Sequence, residues 1–144
     1  VSTRHGDGTA GRVWLTYQAT GSVHGLKFSI YGDRASVSWD HEDAERLWLR
    51  EAGKPAALLT KGGELSSPGA LASTRFSAGH PDGYGLAFAN LYREAAEDII
   101  ARNLGKPRST APYPRIADGV HTMAFIEACV ASNANNGQWT RVIA

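Results

Sequence analysis

The chain has 144 residues, of which 42% are hydrophobic and 20% charged, with a formal net charge of +1 and a single cysteine. This length can bury a core within one domain, and the near-neutral charge argues against nucleic acid or a membrane surface as a partner. One cysteine excludes a disulfide framework, and the absence of a signal peptide or a long apolar run predicts a cytoplasmic protein with no membrane partner.

The first half of the chain predicts an antiparallel sheet. Residues 1–11 are rich in Gly and Thr and show no periodicity, so we expect a flexible or truncated N-terminal end there and one α+β domain over residues 12–144. From Arg12 onward the apolar residues recur at every second position, which is typical of strands. Short connections between these runs favour a meander. The predicted strands are centred on 13–19, 26–31, 35–39, 47–49 and 57–59.

The alternation divides this predicted sheet into two faces. One face is apolar and requires a helical cover, whereas the other is mixed. The mixed set contains Trp14, Thr16, Gln18, Lys27, Ser29, Tyr31, Ser36 and Ser38. Because Trp14 and Tyr31 are large for a solvated surface, we expect a subunit interface on the mixed face, the alternative being a partly exposed aromatic pair.

A long loop and a helix follow the sheet. Residues 62–79 are rich in Gly and Ser and are too many for a simple turn, which predicts a functional or disordered loop. Pro81 suits the first turn of the helix, and Gly105 with Pro107 suits its end. Apolar residues at three- and four-residue steps form one stripe along this predicted helix. This stripe consists of Tyr84, Phe88, Leu91, Tyr92, Ala95 and Ile99.

A proline-punctuated connection, 107–114, leads to a second helix predicted over about 119–134, with Asp118 as its N-cap. Cys129 lies among apolar residues of this helix, so we expect a buried, inert thiol. Gln138 to Ile143 reads as a final strand. Together these elements predict an α+β two-layer sandwich, a mostly antiparallel open sheet with helices packed on one face.

The segment from Gly79 to Tyr84 stands where the long loop meets the first helix. It places the imidazole of His80, the carboxylate of Asp82 and the phenol of Tyr84 at a helix N-terminus, whose backbone N–H groups and positive dipole end favour a polar or anionic ligand. It is therefore the first candidate for a small-molecule site.

Other apparent motifs lack the context that their chemistry needs. Gly6 to Gly11 matches G-x-G-x-x-G, but five residues precede it and a strand is predicted after it, so it does not predict a dinucleotide site. The histidines have no metal-ligand spacing. Serine occurs in no G-x-S-x-G elbow, and no spacing supports a carboxylate pair among Asp40, Glu42 and Asp82.

Several stretches together resemble the C-terminal domain of the Gfo/Idh/MocA oxidoreductases, the family of glucose–fructose oxidoreductase and inositol dehydrogenase. The resemblance covers about residues 12–143. The segments that carry it are His24 to Asp33, Val37-Ser38-Trp39, Glu42, Arg75, Gly79 to Tyr84, Ala87 to Tyr92, Tyr113-Pro114, Asp118-Gly119, Met123, Ile126-Glu127-Ala128, Ser132, Gly137 and Trp139.

The resemblance implies a substrate-binding and oligomerisation domain of an NAD(P)-dependent oxidoreductase acting on a sugar, a polyol or a related hydroxyl compound. NAD or NADP would be bound by an N-terminal Rossmann domain that is not in this chain, which is therefore expected to carry no cofactor, metal or catalytic residue and to be inactive alone. The family's Glu-Lys-Pro lysine has no counterpart, because neither Lys54-Pro55 nor Lys106-Pro107 follows a Glu. The implied partners are the sugar-like substrate, that N-terminal domain and further copies through the open sheet face.

The substrate-binding residues implied by the resemblance are His80, with Tyr84 and Arg75 beside it, and more weakly His24. Each has an alternative. His80 could cap the helix, Tyr84 could belong only to the apolar stripe, and Arg75 could form a surface ion pair with Asp82. For the whole chain, the alternative is a non-catalytic ligand-binding or dimerisation module without a redox parent; a cofactor-free hydrolase lacks a recognisable general base.

Overall fold

A computed structural model describes residues 1–63, 66–107 and 113–143. The chain divides into two compact units: a terminal unit of residues 1–19 and 111–144, and a central unit of residues 20–110. The predicted α+β class is confirmed. The elements are β1 Ser2–Arg4, β2 Ala10–Arg12, β3 Lys27–Tyr31, β4 Ala35–Asp40, β5 Arg46–Glu51, β6 Ala57–Thr60, α1 Pro68–Ser73, α2 Gly83–Asn103 and α3 Ile116–Ala134.

The central unit contains the predicted antiparallel meander, with strand order β3-β4-β5-β6. Phe28 is paired with Trp39, Trp39 with Leu47, and Leu47 with Leu59. Because directly paired residues lie on the same side of a sheet, this register collects the apolar positions on one face. We call it the apolar sheet face: Phe28, Ile30, Val37, Trp39, Leu47, Leu49, Ala57 and Leu59.

The opposite side, the polar sheet face, holds a mixed set of side chains. Its members are Lys27, Ser29, Tyr31, Ser36, Ser38, Asp40, Arg46, Trp48, Arg50, Leu58 and Thr60. The side chain of Tyr31 is exposed to 80%. Lys27 and Asp40 form a cross-strand ion pair of 2.7 Å, and Arg50 donates to Ser38 at 2.8 Å. On β5 and β6 the apolar face is half-buried and the polar face exposed, as the period-two pattern predicts.

The long predicted loop contains a short helix. In α1, Ser67 is the N-cap and its hydroxyl accepts the backbone N–H of Ala70 at 3.2 Å, while Pro68 takes the first helical position. Ser67 and Ala70 line a groove together with Trp39. The Ser-Pro pair is a helix-start signal that the Gly- and Ser-rich composition concealed. Residues 64–65 of this loop and 108–112 of the proline-punctuated connection lie outside the described residues.

Helix α2 begins later than predicted. Asp82 precedes its first residue, Gly83, which has a φ of +70°, so Pro81 lies before the cap and not in the first turn. The predicted end is confirmed by Gly105, whose φ of +66° places it in the left-handed region that terminates helices.

The buried positions of α2 are not those of the predicted apolar stripe. Asn90 is half-buried and Glu94 and Asp98 are buried, and their four-residue spacing places them along one side of the helix. The predicted apolar stripe is largely exposed in the described structure, including Tyr84 and Phe88, whose rings are 4.7 Å apart. Periodicity identified the helix correctly, and the buried residues of α2 are polar ones beside the apolar stripe.

The terminal unit departs most from the sequence expectations. Residues 1–12 contain β1 and β2, which pair antiparallel as a hairpin. Residues 13–19 and 138–143 form no strand, although all of them are described. The exposed Trp14 therefore is not part of the polar sheet face. Alternating residues form a strand only when a neighbouring strand offers hydrogen bonds, which composition cannot supply.

Helix α3 starts at Ile116, three residues earlier than predicted, with Arg115 as N-cap. Asp118 is the third helical residue, and its carboxylate accepts the backbone N–H of Arg115 at 2.7 Å. Cys129 is half-buried and not fully buried, and it lines a cavity with His121 and Trp139. None of the helices in the described ranges is long and apolar enough to cross a membrane.

Candidate functional site

The candidate site lies at one end of the four-stranded sheet. Antiparallel pairing brings the start of β3, the end of β4, the start of β5 and the end of β6 to this end. The side chains that follow or precede these strand ends are His24, His41, Glu45 and Lys61. Residues far apart in the sequence therefore share one rim of the sheet.

Lys61 is the centre of an ionic cluster at this rim. Its ammonium Nζ lies 3.1 Å from Asp82 Oδ2 and 3.4 Å from Glu45 Oε2, and it also donates to the backbone carbonyl of His80. The side chains of Lys61, Asp82 and Glu45 are only 14%, 16% and 33% exposed. At 3.4 Å the Glu45 oxygen forms an ion pair but no hydrogen bond within the described structure. We call Lys61, Glu45 and Asp82 the Lys61 cluster.

Asp82 ties the start of α2 back to the preceding loop. Its Oδ1 accepts the backbone N–H of Phe76 at 2.8 Å and, more weakly, that of Arg75 at 3.3 Å, while its own N–H donates to Glu45 Oε1 at 3.1 Å. Desolvation raises the pKa of the Asp82 carboxyl, but the hydrogen bonds from Phe76, Lys61 and Arg75 together outweigh it. The pKa therefore lies below its ordinary value.

This arrangement changes the interpretation of the segment from Gly79 to Tyr84. The Asp82 carboxylate makes no side-chain cap hydrogen bond to α2 and turns towards Phe76 and Arg75. At the predicted anion site, the described structure has the carboxylate of Asp82, which holds the preceding loop. The N-cap residue of α2 is Asp82 and not His80.

His80 has a fixed backbone and an exposed side chain. Its N–H donates to the carbonyl of Ser77 at 3.1 Å and its carbonyl accepts from Lys61. The imidazole Nδ1 lies 3.3 Å from Ser77 Oγ. Among the sequence-predicted site residues, His80 combines a held main chain with an imidazole open to solvent.

Arg75 and Tyr84 flank this loop but are held differently. The guanidinium Nε of Arg75 donates to Asn90 Oδ1 at 2.8 Å, and Asn90 in turn donates to the carbonyl of Ser73 at 2.8 Å. Arg75 therefore meets Asp82 through its backbone N–H and not through the predicted surface ion pair. The exposed ring of Tyr84 packs against Phe88. This contact agrees with the alternative that Tyr84 belongs to the apolar stripe of the helix.

His24 stands at the same end of the sheet in a cluster of rings. Its imidazole stacks on that of His41 with centroids 4.2 Å apart, and His41 meets the edge of Trp39 at 5.9 Å. The structure brings His24 to the rim that carries Lys61, but the described contacts do not join it to His80. His24 therefore lies at the same rim, but no described hydrogen bond joins it to the Lys61 cluster.

Sequence reasoning missed Lys61 and Glu45. The only signal for Lys61 was its place after a predicted strand and before Gly62-Gly63, which is typical of any turn lysine. Glu45 stands between Ala44 and Arg46 and belongs to no recognisable motif. Their importance arises from strand pairing, because β5 and β6 bring residues 45 and 61 together.

The G-x-G-x-x-G motif does not stand in the structural context of a dinucleotide fingerprint. Gly6 to Gly11 covers the hairpin turn and the start of β2, and Asp7 accepts the N–H of Thr9 there at 2.9 Å. A dinucleotide fingerprint instead requires a strand that leads into a helix. Within residues 1–63, 66–107 and 113–143, no three His, Cys, Asp or Glu side chains are grouped as metal ligands.

Comparison with known proteins gives the family context. No protein-family model matches the chain. It is 28% identical to the uncharacterized oxidoreductase YfiI of Bacillus subtilis over 141 residues, covering 96% of this chain and 36% of the relative. A crystal structure of an oxidoreductase from Sinorhizobium meliloti is 37% identical with a TM-score of 0.88, covering 97% of this chain and 39% of that protein.

An inositol dehydrogenase homologue from Azotobacter vinelandii is also similar. Its complex with NADH and myo-inositol is 35% identical, with a TM-score of 0.91, covering 96% of this chain and 37% of that protein. The chain thus spans well under half the length of its relatives. The resemblance predicted from the sequence is confirmed: the chain is a homologue of Gfo/Idh/MocA-type oxidoreductases and corresponds to part of their C-terminal α+β domain.

Proposed function

We propose that this domain forms one wall of the substrate site in a cytoplasmic NAD(P)-dependent oxidoreductase that acts on a sugar, a polyol or a related hydroxyl compound. The cofactor would be bound by a separate nucleotide-binding domain of the same protein. His80 would hydrogen-bond a substrate hydroxyl, and no redox step is assigned to the residues of this chain.

The observation that carries this proposal is the exposed imidazole of His80 on a backbone held at both its N–H and its carbonyl. Neutral imidazole offers one donor and one acceptor, which matches a hydroxyl group. A fixed main chain lowers the entropy lost when the ring binds its partner. The similarity to a homologue crystallised with NADH and myo-inositol supports a polyol-like ligand.

The neighbouring side chains have weaker claims to the same substrate. The hydroxyl of Tyr84 and the remaining guanidinium N–H groups of Arg75 are donors on either side of the loop. His24 would contribute only to a ligand that extends along the rim of the sheet. We therefore rank His80 first, Tyr84 and Arg75 next, and His24 last.

The test is His80→Ala in the natural full-length polypeptide, with myo-inositol as the first substrate probe and other polyols after it. We expect KM to rise about 10-fold, as the loss of one well-placed hydrogen bond implies, with an unchanged melting temperature. His121→Ala, at an exposed helix position in the terminal unit, is the control and should leave KM unchanged. An unchanged KM for His80→Ala on an accepted substrate would overturn the proposal.

We also propose that the polar sheet face mediates homo-oligomerisation of the parent enzyme. Tyr31, Trp48 and Leu58 on this face are exposed large side chains among polar and charged ones. An aromatic and aliphatic patch with a polar surround is typical of subunit interfaces.

Tyr31→Arg in the full-length protein tests this interface. We expect the dimer dissociation constant to increase at least about 10-fold, because a charge replaces an aromatic anchor in the contact. Sedimentation equilibrium at micromolar concentration measures it. Tyr92→Arg is a matched control, since Tyr92 on α2 is 74% exposed and Tyr31 80%. A monomeric wild type, or equal effects of both variants, would refute the interface.

A further inference from the structure

We propose that Lys61 is a positioning residue for the substrate: through the carbonyl of His80 it holds the imidazole where a substrate hydroxyl can reach it. This inference rests on the proposed function of His80. It assigns a role to a lysine that makes no substrate contact of its own.

The first step of the argument is connectivity. The ammonium of Lys61 joins three segments that are distant in the sequence: Glu45 in the connection before β5, Asp82 at the start of α2, and the main chain of His80. Lys61 itself is tied to the sheet, because its N–H donates to the carbonyl of Glu45 at 2.9 Å. Lys61 thereby attaches the loop of His80 to the four-stranded sheet, in addition to its attachment to the helix that follows it.

The second step is stoichiometry. The Lys61 ammonium donates to the carbonyl of His80, lies 3.1 Å from Asp82 Oδ2, and forms an ion pair of 3.4 Å with Glu45 Oε2. Two of these three partners are carboxylates, so the cluster carries a net charge of −1. With the Lys61 side chain 14% exposed, little water is available to replace any of these partners. The ammonium therefore holds the three segments in one arrangement.

The third step is the point of attachment. Of the three contacts, the one to the carbonyl of His80 lies on the peptide group that follows this residue, and the N–H of His80 is already bonded to Ser77 at 3.1 Å. Holding both peptide groups fixes the direction of the Cα–Cβ bond, and the ring then moves only about its own χ angles. The contact with the carbonyl acts on the main chain of His80 itself, whereas the two carboxylate contacts act on Asp82 and Glu45.

A double-mutant cycle in the full-length enzyme tests the inference, with Lys61→Met, His80→Ala and the double variant assayed on one accepted polyol. We expect Lys61→Met to raise KM about 10-fold in the wild-type background, with a smaller effect on kcat, and less than about 2-fold in the His80→Ala background. A change in KM of the same factor in both backgrounds, or no change in either, overturns the positioning role.

Two further variants keep the test decisive. Lys54→Met removes a similar ion pair of 2.9 Å with Glu51 at a turn and should leave KM unchanged. If Lys61→Met does not fold, Lys61→Arg replaces it. A guanidinium keeps the charge, but its N–H groups lie in one plane and are not arranged around a compact centre as those of an ammonium are. We expect it to raise KM at least about 3-fold, and an unchanged KM would contradict the inference.

The outcomes separate this inference from the function on which it rests. If His80→Ala leaves KM unchanged, the substrate contact itself is wrong. If His80→Ala raises KM but neither Lys61 variant does, His80 binds substrate and Lys61 does not position it.

Discussion

Replacing Lys61 with methionine is expected to lower the free energy of unfolding by about 2–4 kcal/mol. Removing one partner of a fully buried ion pair costs about 3–5 kcal/mol, while exposed pairs contribute about 0–1 kcal/mol. The Lys61 cluster lies between these limits, because its side chains are 14% to 33% exposed. The loss is large because Asp82 and Glu45 lose their counter-ion and the carbonyl of His80 loses its donor at once.

Urea unfolding of the full-length protein, followed by tryptophan fluorescence, measures this loss. Lys54→Met is the matched control, because its ammonium also meets a carboxylate but is 65% exposed, so we expect a change below about 0.5 kcal/mol. Equal effects of the two variants would show that burial of the Lys61 cluster contributes nothing.

The second large effect is expected for Asp82→Asn, about 1–3 kcal/mol of destabilisation at pH 7. The carboxylate accepts N–H groups from Phe76 and Arg75 and pairs with Lys61, while an amide presents only one acceptor oxygen. The loop before α2 would lose its attachment. Asp33→Asn, in an exposed pair with Arg34 at 3.8 Å, is the control and should be nearly neutral.

The destabilisation by Asp82→Asn should depend on pH in one direction. Because the pKa of Asp82 in the folded protein lies below its ordinary value of 3.8, ionised Asp82 stabilises the fold fully above that value. The contribution is lost as the pH falls through the lower folded pKa. The difference between wild type and Asp82→Asn should therefore be constant from pH 8 to about 5 and shrink below about pH 4. A difference that stays constant or widens at pH 3 would contradict this assignment.

The sheet of the central unit was predictable because its determinants are local. Alternating apolar residues in β3, β4 and β5, with turn residues such as Gly32-Asp33 between them, predict both the strands and their two faces. Helix α2 was equally predictable, and Gly105 marked its end.

The errors arose where a long-range partner decides the outcome. Residues 13–19 alternate like a strand but form none, because a strand also needs a neighbour to accept and donate its backbone hydrogen bonds. Asn90 and Glu94 are less exposed than most of the apolar stripe beside them on α2. The hydrogen bonds that join Asn90 to Arg75 and Ser73 favour that orientation.

The sequence by itself determined the α+β class, the meander, the resemblance to the Gfo/Idh/MocA oxidoreductases, and His80 as the first candidate for substrate contact. Only the tertiary structure decided that Asp82 holds a loop and that Lys61 and Glu45 belong to the same site. Residues 45, 61 and 82 meet because β5 begins, β6 ends and α2 begins at the same rim of the sheet. The pairing of strands creates such a cluster, and no spacing along the chain records it.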